Sequence, residues 1–287
     1  MIAKSQKNWS GDAAALLRVG EGFALADVDP QSTPGYEKTK VEAAEDLASG
    51  AGQLDEYQER LFAQSRVDAT NASVLLVLQA MDSAGKGGIV RHVVGSVDPQ
   101  GVSITAFKKP TPEELEHDFL WRVERRLPET GIIGVFDRSH YEDVLIGRVR
   151  ELAPTDEIER RYGAINEFEK RLTDGGTRVV KVMLHISSDE QKARLEERLE
   201  RPDKHWKYNP GDVDERELWP KYMEAYQRVF ERTSTEHAPW HVVPANRKWY
   251  ARIAVQNLLL EALESIDPQW PAATFDVEVE KKRLAAT

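Results

Sequence analysis

Two short runs hold the residue types that phosphate chemistry requires. The first is Met81-Asp82-Ser83-Ala84-Gly85-Lys86-Gly87-Gly88, entered from five apolar residues, Val74 to Leu78. The apolar run reads as a strand buried on both faces, and Ile89 to Val94 as the opening turns of a helix. A strand, a glycine-bearing loop and a helix with a lysine at its start make an anion cradle. Backbone N–H groups at Ala84, Gly85, Gly87 and Gly88 are the candidate donors, the helix dipole favours negative charge, and Lys86 adds a point charge. Against the P-loop pattern G-x-x-x-x-G-K-[ST] the match is partial: Ala80 stands at the first glycine and Gly87 replaces the metal-binding hydroxyl. Asp82 is unusual in such a place. An acid repels phosphate unless a cation lies between them, so Asp82 implies Mg²⁺ or a proton-accepting role. The bland alternative is an ordinary strand-to-helix turn with an exposed lysine.

The second run is Asp137-Arg138, which ends the apolar stretch Gly131 to Phe136. An acid at the end of a buried strand is the Walker B arrangement, where the carboxylate holds Mg²⁺ directly or through water. A lone strand-end aspartate is commonly a helix cap, but here it follows a P-loop and an arginine comes at once after it. Three weaker groups remain. Lys108 and Lys109 follow the alternating strand Val102 to Phe107, at the strand end where open α/β sheets bind ligands. Asp118 and Arg122 lie one turn apart on a helix expected from Thr111 to Leu127, and such a pair can simply satisfy itself. Arg194, Arg198 and Arg201 fall on one face of a charge-dense helix, followed by an aromatic-basic loop with Lys204 and Trp206. That row is either a solvated face laced with Glu–Arg pairs or a mobile clamp over phosphate.

The elements that must position these residues alternate. Strands at Val74 to Leu78, Val102 to Phe107, Gly131 to Phe136, Arg178 to Ile186 and Pro239 to Pro244 are interleaved with helices. The helical stretches are Tyr36 to Val67 (broken near Gly50 and Gly52), Ile158 to Leu172, a helix opened by Ser187 and Glu190, Glu215 to Arg232, and Asn246 to Glu264. This pattern predicts one doubly wound α/β domain over residues 1–287, with an irregular lead-in at 1–35, a helical lid at 187–216 and a tail at 265–287. The 287 residues are 40% hydrophobic and 31% charged, the composition of a soluble globular protein. A net charge of −10 argues against a non-specific nucleic-acid binder while leaving local cationic clusters free to hold a polyanion. With no cysteine, disulfides, thiolate nucleophiles and Cys-ligated zinc are excluded. No stretch has the length of a membrane span and the N-terminus lacks a signal-peptide core, so the expected compartment is the cytoplasm and no membrane partner is expected.

Four motifs in order resemble the polyphosphate kinase 2 family: residues 81–88, Phe136 to Val144, Lys204 to Tyr208, and Glu236 to Trp240 followed by Arg247 to Trp249. The resemblance spans about Tyr36 to Glu264. It implies a P-loop-kinase (thymidylate-kinase-like) fold, a three-layer sandwich around a central parallel five-stranded sheet with a helical lid. It implies an enzyme that moves phosphoryl groups between inorganic polyphosphate and nucleoside mono- or diphosphates with Mg²⁺, as a homo-oligomer, dimer or tetramer. Carried over residue by residue, it gives Lys86 the nucleotide's terminal phosphate, and Asp82 and Asp137 the metal. Arg138 would neutralise the transferred group and Arg198 would close from the lid. Lys108, Lys109, Arg194, Arg201 and Lys204 would track polyphosphate, while Glu142, Asp118 and Arg122 would select the acceptor. Ser139 to Glu142 resembles the subgroup that phosphorylates both mono- and diphosphates, which usually shows asparagine where Asp137 stands and aspartate where Gly87 stands. Gly87 and Asp137 resemble the diphosphate-preferring subgroup. The other readings weighed are an ATP-dependent nucleotide or nucleoside kinase of the same fold and a non-catalytic polyanion-binding regulator.

Overall fold

The computed structural model of the protein describes residues 8–287; residues 1–7, the start of the expected lead-in, lie outside that range. Five strands form one sheet: β1 (Ser73–Ala80), β2 (Val102–Ala106), β3 (Ile133–Asp137), β4 (Thr177–His185) and β5 (Trp240–Pro244). The order is β2-β3-β1-β4-β5 and every pairing is parallel. β1 is buried along its whole length, as its unbroken apolar run requires of a strand covered on both faces. Its side chains alternate between two cores. Val74, Leu76 and Leu78 face one cluster, Leu75 and Val77 the other.

The first cluster is closed by helices α1 (Lys40–Ser65), α2 (Lys86–His92) and α6 (Lys248–Ile266). The second is closed by α3 (Thr155–Asp174) and α5 (Trp219–Thr233). The result is the expected three-layer α/β sandwich. Between β4 and α5 lie α4 (Ser188–Glu200), a 3₁₀ segment at Pro202–Lys207 and a short helix at Gly211–Arg216. After α6, Asp267 takes a left-handed conformation and ends the helix, and an exposed helix α7 (Val277–Ala285) follows.

Three expectations about helices need correction. α1 is continuous through Gly50 and Gly52, held at its start by a Thr39–Glu42 capping box. Gly50 is a close-packing residue: a Cβ there would lie 2.2 Å from Gln256 Oε1 of α6, whose Nε2 donates to the Leu47 carbonyl. The helix expected from Thr111 to Leu127 is two single turns, Pro112–Leu115 and Trp121–Glu124. Asp118 separates them, because its carboxylate accepts the Leu120 N–H and its carbonyl the Trp121 N–H. The helix expected from Glu215 starts instead at Trp219, with Pro220 in its first turn. The lead-in is also more ordered than expected. It forms a helix at Ala13–Leu17, and Arg18 and Val19 then cover the exposed edge of β5 by pairing with His241 and Trp240. Trp270 of the tail lies against α1, its ring 6.0 Å from the Arg60 guanidinium. Among the described residues, no helix is long and apolar enough to cross a membrane.

Candidate active site

Parallel strands aligned in one sheet deliver their C-terminal ends to one rim, and the two motifs meet there. Leu78 of β1 is in register with Asp137 of β3, so the P-loop and the strand-end acid emerge side by side. The loop needs backbone conformations that L-residues rarely take: Ser83 has φ 66° and Gly85 φ 121°. Gly85 starts α2 and places Lys86 under the loop, with Nζ 4.0 Å from Asp137 Oδ1 and 3.4 Å from the Ala80 carbonyl. Arg138 is likewise left-handed, φ 63°, a strain of the kind that collects at working sites. The turn throws its guanidinium back across the P-loop, where it binds Asp82 Oδ1 at 2.6 Å and Glu142 Oε2 at 3.4 Å. Burial opposes the charge of Arg138, but Glu142 and Asp82 outweigh it and hold its pKa above the usual value. Burial raises the Glu142 carboxyl, and Arg138 and Lys86 limit the rise. With its amide oriented to satisfy its neighbours, Gln79 donates to Glu142 Oε1 (2.9 Å) and accepts from the Ser139 N–H (3.1 Å).

Asp82, Lys86, Asp137 and Arg138 share one cleft of about 620 Å³, together with Ala84, Gly85, Gly87 and Gly88. Its far wall comes from α4 and the 3₁₀ segment after it, and there the arginine row divides. Arg194 is buried, and its guanidinium donates to the carbonyls of Ser83, Ala84, Ala245 and Asn246 while pairing with Glu190 at 2.7 Å. It braces the P-loop rather than offering its donors to the cleft. Arg198 reaches the Lys207 carbonyl (3.1 Å) and Asp212 Oδ2 (3.5 Å). Arg201 and Lys204 stand further out, paired with Glu197 and Asp203. Lys108 and Lys109 do not line this cleft. They sit beyond the edge strand β2, and the Lys108 carbonyl is held by Arg122. Arg122 is buried between Glu114 and Asp143, both at 3.6 Å, and Asp118 pairs with Arg160 at 2.8 Å, so the Asp118–Arg122 pair is not formed and neither residue lines this cleft.

Several lining residues escaped the sequence reading. Asp212, in a stretch marked only by turn residues, is a buried third aspartate whose carboxyl is raised by burial and by nearby Asp82. Arg91 of α2 and Lys248 and Arg252 of α6 form a cationic wall. The i,i+4 spacing of Lys248 and Arg252 was the available signal. Burial and then Arg194 depress the Lys248 pKa, as a crowd of cations should. Among the described residues, ten lysines and arginines, Arg194 included, and four acids line the cleft, a formal surplus of six positive charges in a chain of net −10. The acids alone are no cage: no group of three or more His, Cys, Asp or Glu is placed to hold a metal among the described residues. That donor set fits Mg²⁺, which takes one or two carboxylates and completes its shell with water and substrate phosphates.

An anion cleft at the switch between β1 and β3, with a lysine and strand-end acids, defines a phosphoryl-transfer enzyme of the P-loop kinase class. Comparison with known proteins narrows the class. The profile of the family described as Polyphosphate kinase 2 (PPK2) matches residues 44–271. The AMP/ADP-polyphosphate phosphotransferase of Meiothermus ruber is 46% identical over 249 residues, covering 87% of this chain and 91% of that protein. The ADP-polyphosphate phosphotransferase of Rhodopseudomonas palustris is 42% identical over 272 residues, 90% and 92% of the two chains. The crystal structure of Polyphosphate Kinase 2 from Arthrobacter aurescens TC1 superposes with a TM-score of 0.95 at 58% identity, over 97% of this chain and 98% of that one. The chain belongs to the polyphosphate kinase 2 family and is a polyphosphate:nucleotide phosphotransferase.

Proposed function

We propose that this chain transfers a terminal phosphoryl group between polyphosphate and ADP, and between polyphosphate and AMP at a lower rate, by in-line displacement at the P-loop. The observation that carries the reading is the convergence of Asp82, Lys86, Asp137 and Arg138 on one cleft whose cationic lining continues outward to Arg252. Polyphosphate lies along the wall formed by Arg91, Lys248 and Arg252, and its terminal group rests at Lys86. The nucleotide enters from the side of Arg138 and Glu142. The names of the two relatives, one acting on AMP and ADP and one on ADP, support this choice of acceptors.

Phosphoryl transfer asks mainly for alignment and charge neutralisation. Lys86 and the loop N–H groups hold the transferred group from below, Arg138 covers its equatorial oxygens from the side, and Arg198 does so from above. Asp82 and Asp137 would hold Mg²⁺, which when bound neutralises phosphate charge and helps fix the in-line geometry. Glu142 orients Arg138. The chain works as one domain, in the cytoplasm, with 187–216 as its lid. Gln191 and Arg194 tie the first turns of α4 to the P-loop, so the part free to close is the stretch from Arg198 to Asp212.

Incubation with long-chain polyphosphate, Mg²⁺ and either ADP or AMP should yield ATP or ADP respectively. Chelation should abolish the reaction and added Mg²⁺ restore it, and Lys86→Ala should lower kcat by at least a hundredfold. Failure to form ATP from ADP at any chain length, or AMP phosphorylation with ATP as donor while polyphosphate stays inert, would refute the assignment.

A further inference from the structure

Below the turn that carries Arg138 and Glu142 lies a cluster of buried polar groups that the phosphoryl-transfer chemistry does not touch. Lys181 of β4 and Glu169 of α3 are fully buried and paired at 2.6 Å. The lysine also donates to Tyr141 Oη (2.9 Å) and to the Thr233 carbonyl at the end of α5 (2.7 Å). The Tyr141 hydroxyl donates to the other oxygen of Glu169 (2.7 Å), and His140 Nε2 lies 3.4 Å from that same oxygen. The Tyr141 ring packs edge-on against Trp240 of β5, whose indole N–H reaches the Thr233 hydroxyl. One network thus ties two strands, two helices and the turn His140–Asp143 together.

A buried ion pair is a poor device for stability alone, because apolar residues of similar volume generally do as well or better without desolvating two charges. Its advantage is directional: each partner accepts few geometries. Here the geometry it fixes is that of the turn. His140 and Tyr141 point down into the network and are fully buried. Arg138 and Glu142, on either side of them, point up to Asp82 and to each other. The left-handed Arg138 can hold its guanidinium across the P-loop only while the next residues are pinned.

We infer that Glu169, Lys181 and the Tyr141 hydroxyl are positioning residues that hold the Arg138–Glu142 turn in register with the P-loop. This inference rests on the role given to Arg138 above, and two sets of variants separate the two. Arg138→Ala tests that role directly. Tyr141→Phe removes one hydroxyl from the network and keeps the ring, and the pair Glu169→Gln with Lys181→Met replaces both charges while leaving an amide oxygen for Tyr141. Both the Tyr141 variant and the paired variant should melt cooperatively, with kcat for ADP phosphorylation reduced about tenfold or more and KM for polyphosphate within threefold of wild type. A general loosening of the fold would lower activity equally in any background, so the deciding readout is coupling. Tyr141→Phe should cost less than twofold when added to Arg138→Ala, measured by single-turnover ATP formation. A folded Tyr141→Phe with wild-type kcat, or an equal loss in both backgrounds, overturns the inference. Should the paired variant fail to fold, the Tyr141 cycle decides alone. Wild-type kcat in Arg138→Ala would instead sink the reading of the site itself.

Discussion

Arg194 offers the sharpest test of how the cleft is built, because the row of arginines on α4 admits two opposite roles. If Arg194 reaches for polyphosphate, Arg194→Ala should raise KM for polyphosphate and leave the melting temperature alone. The structure gives it a different job. Its guanidinium is nearly inaccessible and meets four backbone carbonyls, two from the P-loop and two from the segment joining β5 to α6. Truncation leaves the Ala84 and Ala245 carbonyls without these donors, both of which are contacts of 2.7 Å. Hydrogen bonds from a charged donor contribute about 1.5–3 kcal/mol each, and stranding a buried acceptor costs about 1–3 kcal/mol. Counting only the two shortest carbonyl contacts at that charged-donor value gives a loss of roughly 3–6 kcal/mol, close to the size usual for breaking a buried charged contact. At about 2.1 cal/mol/K of unfolding entropy per residue, a 287-residue chain converts that loss into a fall in Tm of about 5–10 °C. The assay is a urea or thermal melt of Arg194→Ala beside KM for polyphosphate measured across a salt series below the melting range. A Tm within about 2 °C of wild type, with a raised and less salt-sensitive KM, would refute the brace and restore the clamp.

Four other substitutions probe separate parts of the molecule. Lys248→Ala and Arg252→Ala should each leave Tm unchanged but flatten the dependence of log KM for polyphosphate on log salt, by roughly 0.7 per lost contact, the value for a flexible single-stranded polyanion; Lys108→Ala, outside the cleft, should leave that slope unaltered. Glu261, on the far side of α6, has one carboxylate oxygen buried without a hydrogen-bond partner among the described residues, and burial, then Asp12 and Glu264, raise its pKa to about 7. A carboxyl whose folded pKa exceeds its unfolded value favours the fold while protonated and loses that contribution as pH rises from about 4.5 to 7. Glu261→Gln should therefore match wild type at pH 4 and exceed it by about 1–2 kcal/mol at pH 8, after discounting for the group's partial exposure, as read from urea midpoints.

The strands were legible because each is an uninterrupted or alternating apolar run, and the parallel order follows from their alternation with helices. Once the strands are parallel, residues just past their ends share a rim, which is why the P-loop and Walker B motifs, with the family resemblance, point to Asp82, Lys86, Asp137 and Arg138 in one cleft. What stayed hidden depends on partners distant in the chain. Gly50 reads as a helix breaker until Gln256, 206 residues later, is seen to occupy the space a side chain would need. Arg194, Arg198 and Arg201 share a helical face, but spacing does not say which end of that face meets backbone and which meets solvent. Asp212 carries no motif, and only the fold of the stretch after Lys207 turns it towards Asp82.

The pairing of charges across the cleft bears on why the acids stand among so many cations. Near the transfer point each cation already has a carboxylate: Arg138 has Asp82 and Glu142, Lys86 has Asp137, and Arg198 has Asp212. Along the outer wall Arg91 and Arg252 form no ion pair with any described residue. Outer cations can attract a polyanion without giving anything up, which speeds encounter and is screened by salt. Inner cations must exchange a carboxylate for a phosphate, and the carboxylates left behind would face phosphate oxygens at close range. On the function proposed above, Asp82 and Asp137, the acids that Arg138 and Lys86 would release, would hold a divalent cation that relieves that repulsion. Substrate phosphate and metal would then bind the inner site together. Joint binding of that kind suits two aspartates that make no complete metal cage by themselves.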